Sequence, residues 1–397
     1  METHYISRQG LDALRNYKYK GGEYSFLDLQ MNGFWLWCAE LLPMSMAPNL
    51  VTLVGTGHLL LVVMLAQIFD PQLLGESPWW VYAINAWCLF VYQTMDAVDG
   101  KQARRTGTSS PLGQLFDHGC DSMGTTFIAV SLVSVLGFGA STNAIIIIAT
   151  VQIPFYLCQW EENHVHVLRA QVGNFGVTEG QFLSMGLNLS AAVFGSVFWQ
   201  QTVAELVNTV SGLDLPGLGG LEDAELRTIA VYVGGFFPFL LAMSNVIAVF
   251  KSNVNFARAL ILTIPLWLQQ GIQVALHVLS PGKELFETHP VPFIVIMGML
   301  HSHLSNRIIV ASVCHIEIPL LQKIIMPIPF IIGLLVHENS HTNAASKMAD
   351  KNTLATVLIV YGAFVVFQYF HFVLSVINSI CLLLDINCLT IKDKKKT

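Results

Sequence analysis

Apolar residues in this chain come in long runs and do not alternate with polar ones. Ten runs stand out, at 50–69, 79–95, 116–136, 144–160, 182–199, 228–250, 257–279, 291–313, 320–336 and 354–380. About 20 mostly apolar residues is the length at which an α-helix crosses the hydrocarbon of a bilayer. The pattern therefore predicts an all-α polytopic membrane protein of about ten transmembrane helices. The connections are short except for 200–227, which contains Gly212-Leu-Asp-Leu-Pro-Gly-Leu-Gly-Gly220, a break in any regular element. Residues 1–48 form an arm. Gly21-Gly22 interrupts an amphipathic stretch there, and Phe34, Trp35, Leu36 and Trp37 suit a helix lying in the membrane interface.

Composition agrees. Of 397 residues, 53% are hydrophobic and only 12% charged, where soluble domains carry about a quarter. Mean hydropathy is +0.57 over the whole chain. The first 40 residues hold Arg8, Arg15, Lys18 and Lys20 and no continuous apolar core, so no cleavable signal peptide is expected and the first span would direct insertion. A net charge of -6 argues against a nucleic-acid partner. Seven scattered cysteines without a Cys-x-x-Cys pair read as buried free thiols. With ten spans, the basic arm, Lys101, Arg104, Arg105, Lys251, Arg258 and the lysine-rich tail share one side, which should be cytosolic. Lys283, Lys347 and Lys351 oppose this but are fewer.

The chemistry concentrates between the second and third spans. Asp96 and Asp99 are three apart, and Asp117 and Asp121 are four apart, so on helices each pair shares a face. A carboxylate at a bilayer centre costs about 2.5–3.5 kcal/mol on insertion scales, so four of them signal a function. Brought together they would repel and take up protons unless divalent cations sat among them. All-oxygen ligands suit Mg²⁺, Mn²⁺ or Ca²⁺ and not zinc. Gly100 and Gly113 allow a nucleotide or a helix to approach the backbone, Ala103 keeps the next turn low, and Arg104 can fork onto phosphate oxygens. A diphosphate bridged by two metals and clamped by an arginine is a phosphoryl-transfer site.

From Asp96 to Asp121 the chain matches Asp-x2-Asp-Gly-x2-Ala-Arg-x8-Gly-x3-Asp-x3-Asp at every fixed position. In this it resembles the CDP-alcohol phosphotransferases. Ala47-Pro48-Asn49-Leu50-Val51-Thr52, Asp99-Gly-Lys-Gln-Ala-Arg-Arg-Thr106, Ser110-Pro-Leu-Gly113, Leu115-Phe-Asp-His-Gly-Cys-Asp121 and Tyr17-Lys-Tyr-Lys20 are similar to the eukaryotic choline/ethanolamine phosphotransferase branch. The similarity is clear over 10–125 and weaker beyond. Gln114 departs from the usual Glu, and Thr106-Gly-Thr-Ser-Ser110 from the usual Asn-Ser-Ser-Ser; neither departure touches a metal ligand.

The resemblance implies a reaction. CDP-choline or CDP-ethanolamine would bind with its diphosphate on two divalent cations, Mg²⁺ or Mn²⁺. Diacylglycerol would enter sideways from the bilayer and attack the β-phosphorus, releasing CMP and leaving phosphatidylcholine or phosphatidylethanolamine, the last step of the Kennedy pathway. Asp96, Asp99 and Asp117 would hold one metal, and Asp96, Asp117 and Asp121 the other. Asn49, Gly100, Ala103, Arg104 and Gly113 would cradle the cytidine diphosphate. For the base, the branch points to His118 with Glu179, and Asp121 is the competing assignment. The resemblance also implies a homodimer in the endoplasmic reticulum or Golgi, with its active site facing the cytosol. The chain divides into an interfacial arm (1–48), catalytic helices (49–200), remaining transmembrane helices (201–380) and a basic cytosolic tail (381–397).

Other features compete. His337-Glu338-Asn-Ser-His341 fits the His-Glu-x-x-His zinc motif and would mean an intramembrane metalloprotease. Asn339 and Ser340 favour a loop there, and the topology puts the motif opposite the aspartates. A cation transporter would also gather intramembrane acids, but leaves Gly100, Ala103, Arg104 and Gly113 unexplained. The polar cluster Trp160-Glu161-Glu162-Asn163-His164-Val-His166 reads as a helix cap meeting headgroups, with substrate contact by Glu161 or His164 as the alternative. Arg307, inside the eighth span, could balance the acidic site, meet a lipid phosphate, or snorkel. His301 and His303 read as polar packing contacts.

Overall fold

The computed structural model describes residues 5–15, 24–212, 220–252, 254–318, 320–340 and 344–392. The Tyr17–Lys20 run, Gly21-Gly22, His341 and most of the lysine tail lie outside them. Among the described residues the chain is helical except for one short hairpin, β1 (Gln171–Val172) with β2 (Phe175–Gly176). The helices are α1 (Arg8–Leu14), α2 (Phe26–Leu41), α3 (Pro48–Phe69), α4 (Trp79–Thr106), α5 (Pro111–Leu136), α6 (Thr142–Val165), α7 (Val177–Phe194), α8 (Val197–Gln200), α9 (Val203–Ser211), α10 (Leu226–Lys251), α11 (Phe256–Ile261), α12 (Ile264–Val278), α13 (Gly282–Thr288), α14 (Pro290–Cys314), α15 (Ile328–Ser340) and α16 (Ala344–Leu384).

Each of the ten apolar runs contains a helix or part of one, and seven helical stretches are long and apolar enough to cross a membrane. These are α3, α5, α6, α10, the α11–α12 stretch, α14 and most of α16. The chain is an integral membrane protein. The other three runs fall short for identifiable reasons. Helix α4 is long, but Trp79, Trp80, Asn85, Trp87 and Gln93 dilute its apolar turns, and its last turns carry Asp96, Asp99, Lys101, Arg104 and Arg105. Helix α7 has 18 residues, but Glu179, Gln181, Ser184 and Asn188 interrupt its apolar run, and it stops at Phe194 where Gly195 turns to φ +79°. The run at 320–336 is helical only from Ile328, since Pro327 and Pro329 fit a helix start and not its interior. Its 13 residues span only about 20 Å.

The arm behaves as a surface element. Helix α2 buries Trp35 and Ala39 against Val51 and Val98 and leaves Leu29, Leu36, Trp37 and Leu41 exposed. Helix α1 packs Leu11 and Leu14 against Ile309 and Val313 of α14 and Leu112 and Leu115 of α5.

Cross-contacts sort the helix ends into two groups. The start of α3 meets the end of α16 through a bridge between Met46 and Thr390, and Phe26 N–H donates to Asn174 O beside the start of α7. At the opposite end, Gln72 after α3 donates to Thr288 O before α14. Arg227 at the start of α10 donates to Gly137 O after α5, and Lys351 pairs with Glu284. Lys101, Arg104, Arg105, Lys251, Arg258 and Lys392 all belong to the first group.

One buried carboxylate anchors the far end. Asp70 accepts from the N–H groups of Leu74 and Gly75 at 2.8 and 3.0 Å and from the Ser134 hydroxyl at 2.6 Å, tying the α3–α4 turn to the end of α5. A hydrogen bond to a charged group is worth about 1.5–3 kcal/mol. Asp70→Ala is expected to destabilise the protein by about 3 kcal/mol, read as a lowered unfolding midpoint in detergent.

Candidate active site

Helices α4 and α5 are joined by a short turn, 107–110, and both pack against α3. Ser110 caps α5 by accepting from Gly113 N–H at 3.3 Å. Asp99 lies seven residues before the end of α4 and Asp117 six after the start of α5, so both sit about 10 Å below the turn. Carboxylate oxygens of Asp96, Asp117 and Asp121 lie within 4.8 Å of one another, and the three residues are half-buried. Among the described residues this is the one cluster of three acidic, histidine or cysteine ligands so arranged. Asp99 is buried one turn along and accepts from the Thr52 hydroxyl of α3.

The donor set is all oxygen, and Asp117 Oδ1 is buried without a hydrogen-bond partner. A buried acceptor left without a donor, among carboxylates whose oxygens lie within 4.8 Å of one another, fits a hard divalent cation.

Two neutral residues complete the cluster, and neither was anticipated from the sequence. Tyr92 donates its hydroxyl to Asp121 Oδ1 at 2.6 Å. It stands four residues before Asp96 on the same face, so its spacing could have revealed it. Thr52 is three residues beyond Asn49, but it meets Asp99 only because α3 packs against α4. The contact between Tyr92 and α5 requires Gly124, where a Cβ would lie 2.8 Å from the Tyr92 oxygen.

Below the carboxylates a cavity of about 300 Å³ runs between α5, α6, α7 and α10. Tyr92, Asp96, His118 and Asp121 form its head. Its wall descends the α5 face through Thr125, Ile128, Leu132 and Leu136, about 22 Å from Asp121 at 1.5 Å per residue. Apolar side chains dominate the other walls, with Thr150, Gln159, Gln181 and Ser184 as polar exceptions. Among the described residues the aspartates do not continue into a line of acids, as a cation pathway would need.

Asn49, Gly100, Ala103, Arg104 and Gly113 do not line this cavity. They stand on the other side of the carboxylates, toward the 107–110 turn. A Cβ at Gly113 would lie 3.9 Å from Asn49 Oδ1, and one at Gly100 would lie 3.6 Å from Arg104 Nη1, so the structure brings these residues together in pairs. Arg104 is exposed. Gln114, one of the departures noted above, donates to Glu162 Oε1 at 3.1 Å.

His118 is buried at the head of the cavity. Glu179 sits at the aspartate end, but it is not among the cavity-lining residues. Its Oε1 accepts from Leu27 N–H at 2.8 Å and its Oε2 from Gly176 N–H at 2.7 Å. It thereby caps α7 and fastens α2 to it. Asp28 of α2 accepts from Thr178 at 2.6 Å, and Thr178 accepts from Gln93 of α4 at 3.2 Å. Arg105 closes the other end of α2, donating to Ala39 O at 3.1 Å and Leu42 O at 2.6 Å.

The competing features have other occupations. The loop expected around Asn339 and Ser340 is instead the last turn of α15, where Asn339 exchanges hydrogen bonds with Ser280 N–H and C=O. Those contacts hold in a helix the residues expected to form a loop. Glu161 is fully buried and taken up by Arg169 and by Asn245 of α10, and His164 shares a hydrogen bond with Trp160 O at 2.7 Å. His301 shares one with Ser305 at 3.3 Å, and the His303 ring lies tilted beside that of Phe372 with centroids 5.0 Å apart, so both serve packing.

Fold and site together define an integral membrane protein whose carboxylate cluster heads an apolar cavity. A family model described as CDP-alcohol phosphatidyltransferase matches residues 45–209. The chain is similar to choline/ethanolaminephosphotransferase 1 of Arabidopsis thaliana, with 32% identity over 395 residues, covering 98% of this chain and 99% of the relative. It is similar to cholinephosphotransferase 1 of Danio rerio, 30% over 318 residues, 79% and 80% of the two chains. With cholinephosphotransferase 1 of Bos taurus it shares 28% over 392 residues, 96% and 91%. The chain belongs to the CDP-alcohol phosphotransferase family and is an enzyme.

Glu179→Ala is expected to lower stability by about 1.5–3 kcal/mol, because two backbone N–H groups lose a charged acceptor. Thermal unfolding in detergent checks this. An unchanged midpoint would mean that Glu179 does not hold the arm.

Proposed function

We propose that the enzyme transfers phosphocholine or phosphoethanolamine from the CDP-alcohol to diacylglycerol, giving the phospholipid and CMP. The observation that carries this reading is the carboxylate cluster at the head of a cavity long and apolar enough for acyl chains. The names of the Arabidopsis and vertebrate relatives support the substrate class.

Two divalent cations, Mg²⁺ or Mn²⁺, would be held by Asp96, Asp99 and Asp117 and by Asp96, Asp117 and Asp121. When bound they would neutralise the diphosphate and favour charge build-up on the leaving oxygen. Asn49, Gly100, Ala103, Arg104 and Gly113 hold the cytidine diphosphate on the turn side, with Arg104 forking onto phosphate oxygens. The acyl chains of diacylglycerol lie along the α5 wall, bringing its hydroxyl to the head of the cavity. The hydroxyl oxygen forms a bond to the β-phosphorus, the bridging P–O bond breaks, and its electron pair leaves with CMP. His118 takes the hydroxyl proton, with Asp121 as the alternative base. Glu179 serves as a positioning residue, through the arm and the start of α7.

The segments 1–48, 49–200, 201–380 and 381–397 serve as arm, catalytic helices, supporting helices and tail. The basic residues at the aspartate end support a cytosolic orientation. Residence in the endoplasmic reticulum or Golgi and a homodimer belong to the same reading; cell fractionation and mass photometry test them.

The first test supplies labelled CDP-choline and CDP-ethanolamine in separate tubes to purified protein with diacylglycerol and Mg²⁺. Labelled phospholipid is expected, and EDTA should abolish it. Asp117→Asn should reduce turnover on the order of a thousandfold, as several kcal/mol of charge stabilisation is lost. If neither nucleotide is consumed with any divalent metal, the reading fails. His118→Gln should reduce kcat roughly 10²–10⁴-fold while Mn²⁺ binding, followed by electron paramagnetic resonance, persists. Full activity in that variant would pass the proton to Asp121.

A further inference from the structure

The face that α6 turns to the cavity repeats every four residues, through Ile147, Val151, Phe155 and Gln159. It is apolar until its last member, Gln159, six residues before the helix ends at Val165. Helix α7 lines the cavity with Val177, Gln181, Ser184 and Leu187, and Gln181 is four residues from the helix start. Both helices pack against α5, and the cavity runs between them. Two hydrogen bonds fix where the amides stand. Gln114, three residues before Asp117, donates to Glu162, three residues beyond Gln159. Gln93, three residues before Asp96, donates to Thr178, three residues before Gln181. Gln159 and Gln181 therefore belong to the head of the cavity, beside the carboxylates.

Both side chains are buried, with 3% and 6% of their surface exposed. Among the described residues neither amide oxygen has a hydrogen-bond partner. Elsewhere on α6 the fold does pair a buried amide: Gln152 Oε1 accepts from Gln269 and Gln273 of α12 at 3.1 and 3.3 Å, and Gln152 does not line the cavity. A buried acceptor without a donor is costly, so two of them on one cavity suit a ligand that brings donors. The last torsion of a glutamine is broad, which lets each oxygen turn to such a donor.

The reactants of the proposed reaction carry few donors. Those of the cytidine stay with the nucleotide on the turn side. The diacylglycerol hydroxyl gives its proton to the base, and its esters only accept. What remains is the headgroup, which hangs from the phosphorus at the carboxylates. A primary ammonium there has three N–H donors, and a quaternary one has none. We propose that Gln159 and Gln181 accept hydrogen bonds from the primary ammonium of a phosphoethanolamine headgroup, and so favour it over phosphocholine. A site built to bond an N–H discriminates against the analogue that lacks it. The proposal rests on the reaction proposed above and names two residues that set its specificity.

The test measures kcat/KM for CDP-ethanolamine and CDP-choline on the purified full chain with diacylglycerol and Mg²⁺, in wild type, Gln159→Leu and Gln181→Leu. Each variant should lower the ethanolamine-to-choline ratio about tenfold or more, the scale of one hydrogen bond to a charged group. Replacing an unpaired buried acceptor by an apolar side chain should leave the unfolding midpoint level or raised. An unchanged ratio overturns the proposal, whatever happens to the midpoint. So does an equal fall with both nucleotides, the mark of residues that only shape the cavity or hold the diacylglycerol esters. A wild type that uses CDP-choline alone also overturns it, while leaving the reaction standing. A wild type that consumes neither nucleotide removes the reaction and the proposal together. Should one variant not fold, the other measures the same ratio.

Discussion

The structure turns on gathering four carboxylates, two from α4 and two from α5, inside the helix bundle. Like charges this close resist folding, and burial adds to the resistance. The fold answers with neutral donors where it can: Tyr92 on Asp121 and Thr52 on Asp99. Both depend on tight packing, of α3 against α4 and of α4 against Gly124 of α5. What these donors leave undone, above all the orphaned oxygen of Asp117, is the part that a divalent cation would complete. Cation affinity and helix packing are two sides of one arrangement.

The arm extends that arrangement to the surface. Helix α2 is held at its start by Glu179 and by Thr178, and at its end by Arg105. Those residues belong to α7 and α4, which flank the carboxylates and the cavity. Lys101 adds a cation–π contact to Trp35 at 5.4 Å. An element that looks peripheral in the chain thus braces the helices that carry the chemistry.

The aspartates were legible in the sequence because helical spacing fixes which side chains share a face, and because apolar surroundings make acids conspicuous. The helical class was legible for the same reason. Span boundaries were less so, since Gly195, Pro327 and Pro329 shorten helices within runs that stay apolar. Thr52 and Glu179 show the deeper limit. A carboxylate at the right end of a span looks available for chemistry, yet both oxygens of Glu179 are occupied by backbone donors, one of them 152 residues away. Asn339 fails in the opposite direction: a residue with loop preference is helical because Ser280 rewards it there.

The cavity has a direction. Its polar head lies at the end of the bundle rich in lysine and arginine, and its apolar wall runs inward along α5. A lipid would, on the proposed reaction, sit with its hydroxyl at that face and its chains along the α5 wall. On the proposed reaction, every turnover enlarges the headgroup of a molecule in one monolayer and leaves the other untouched. Sustained synthesis would unbalance the areas of the two monolayers, so growth of such a membrane would have to be matched by movement of lipid from one monolayer to the other.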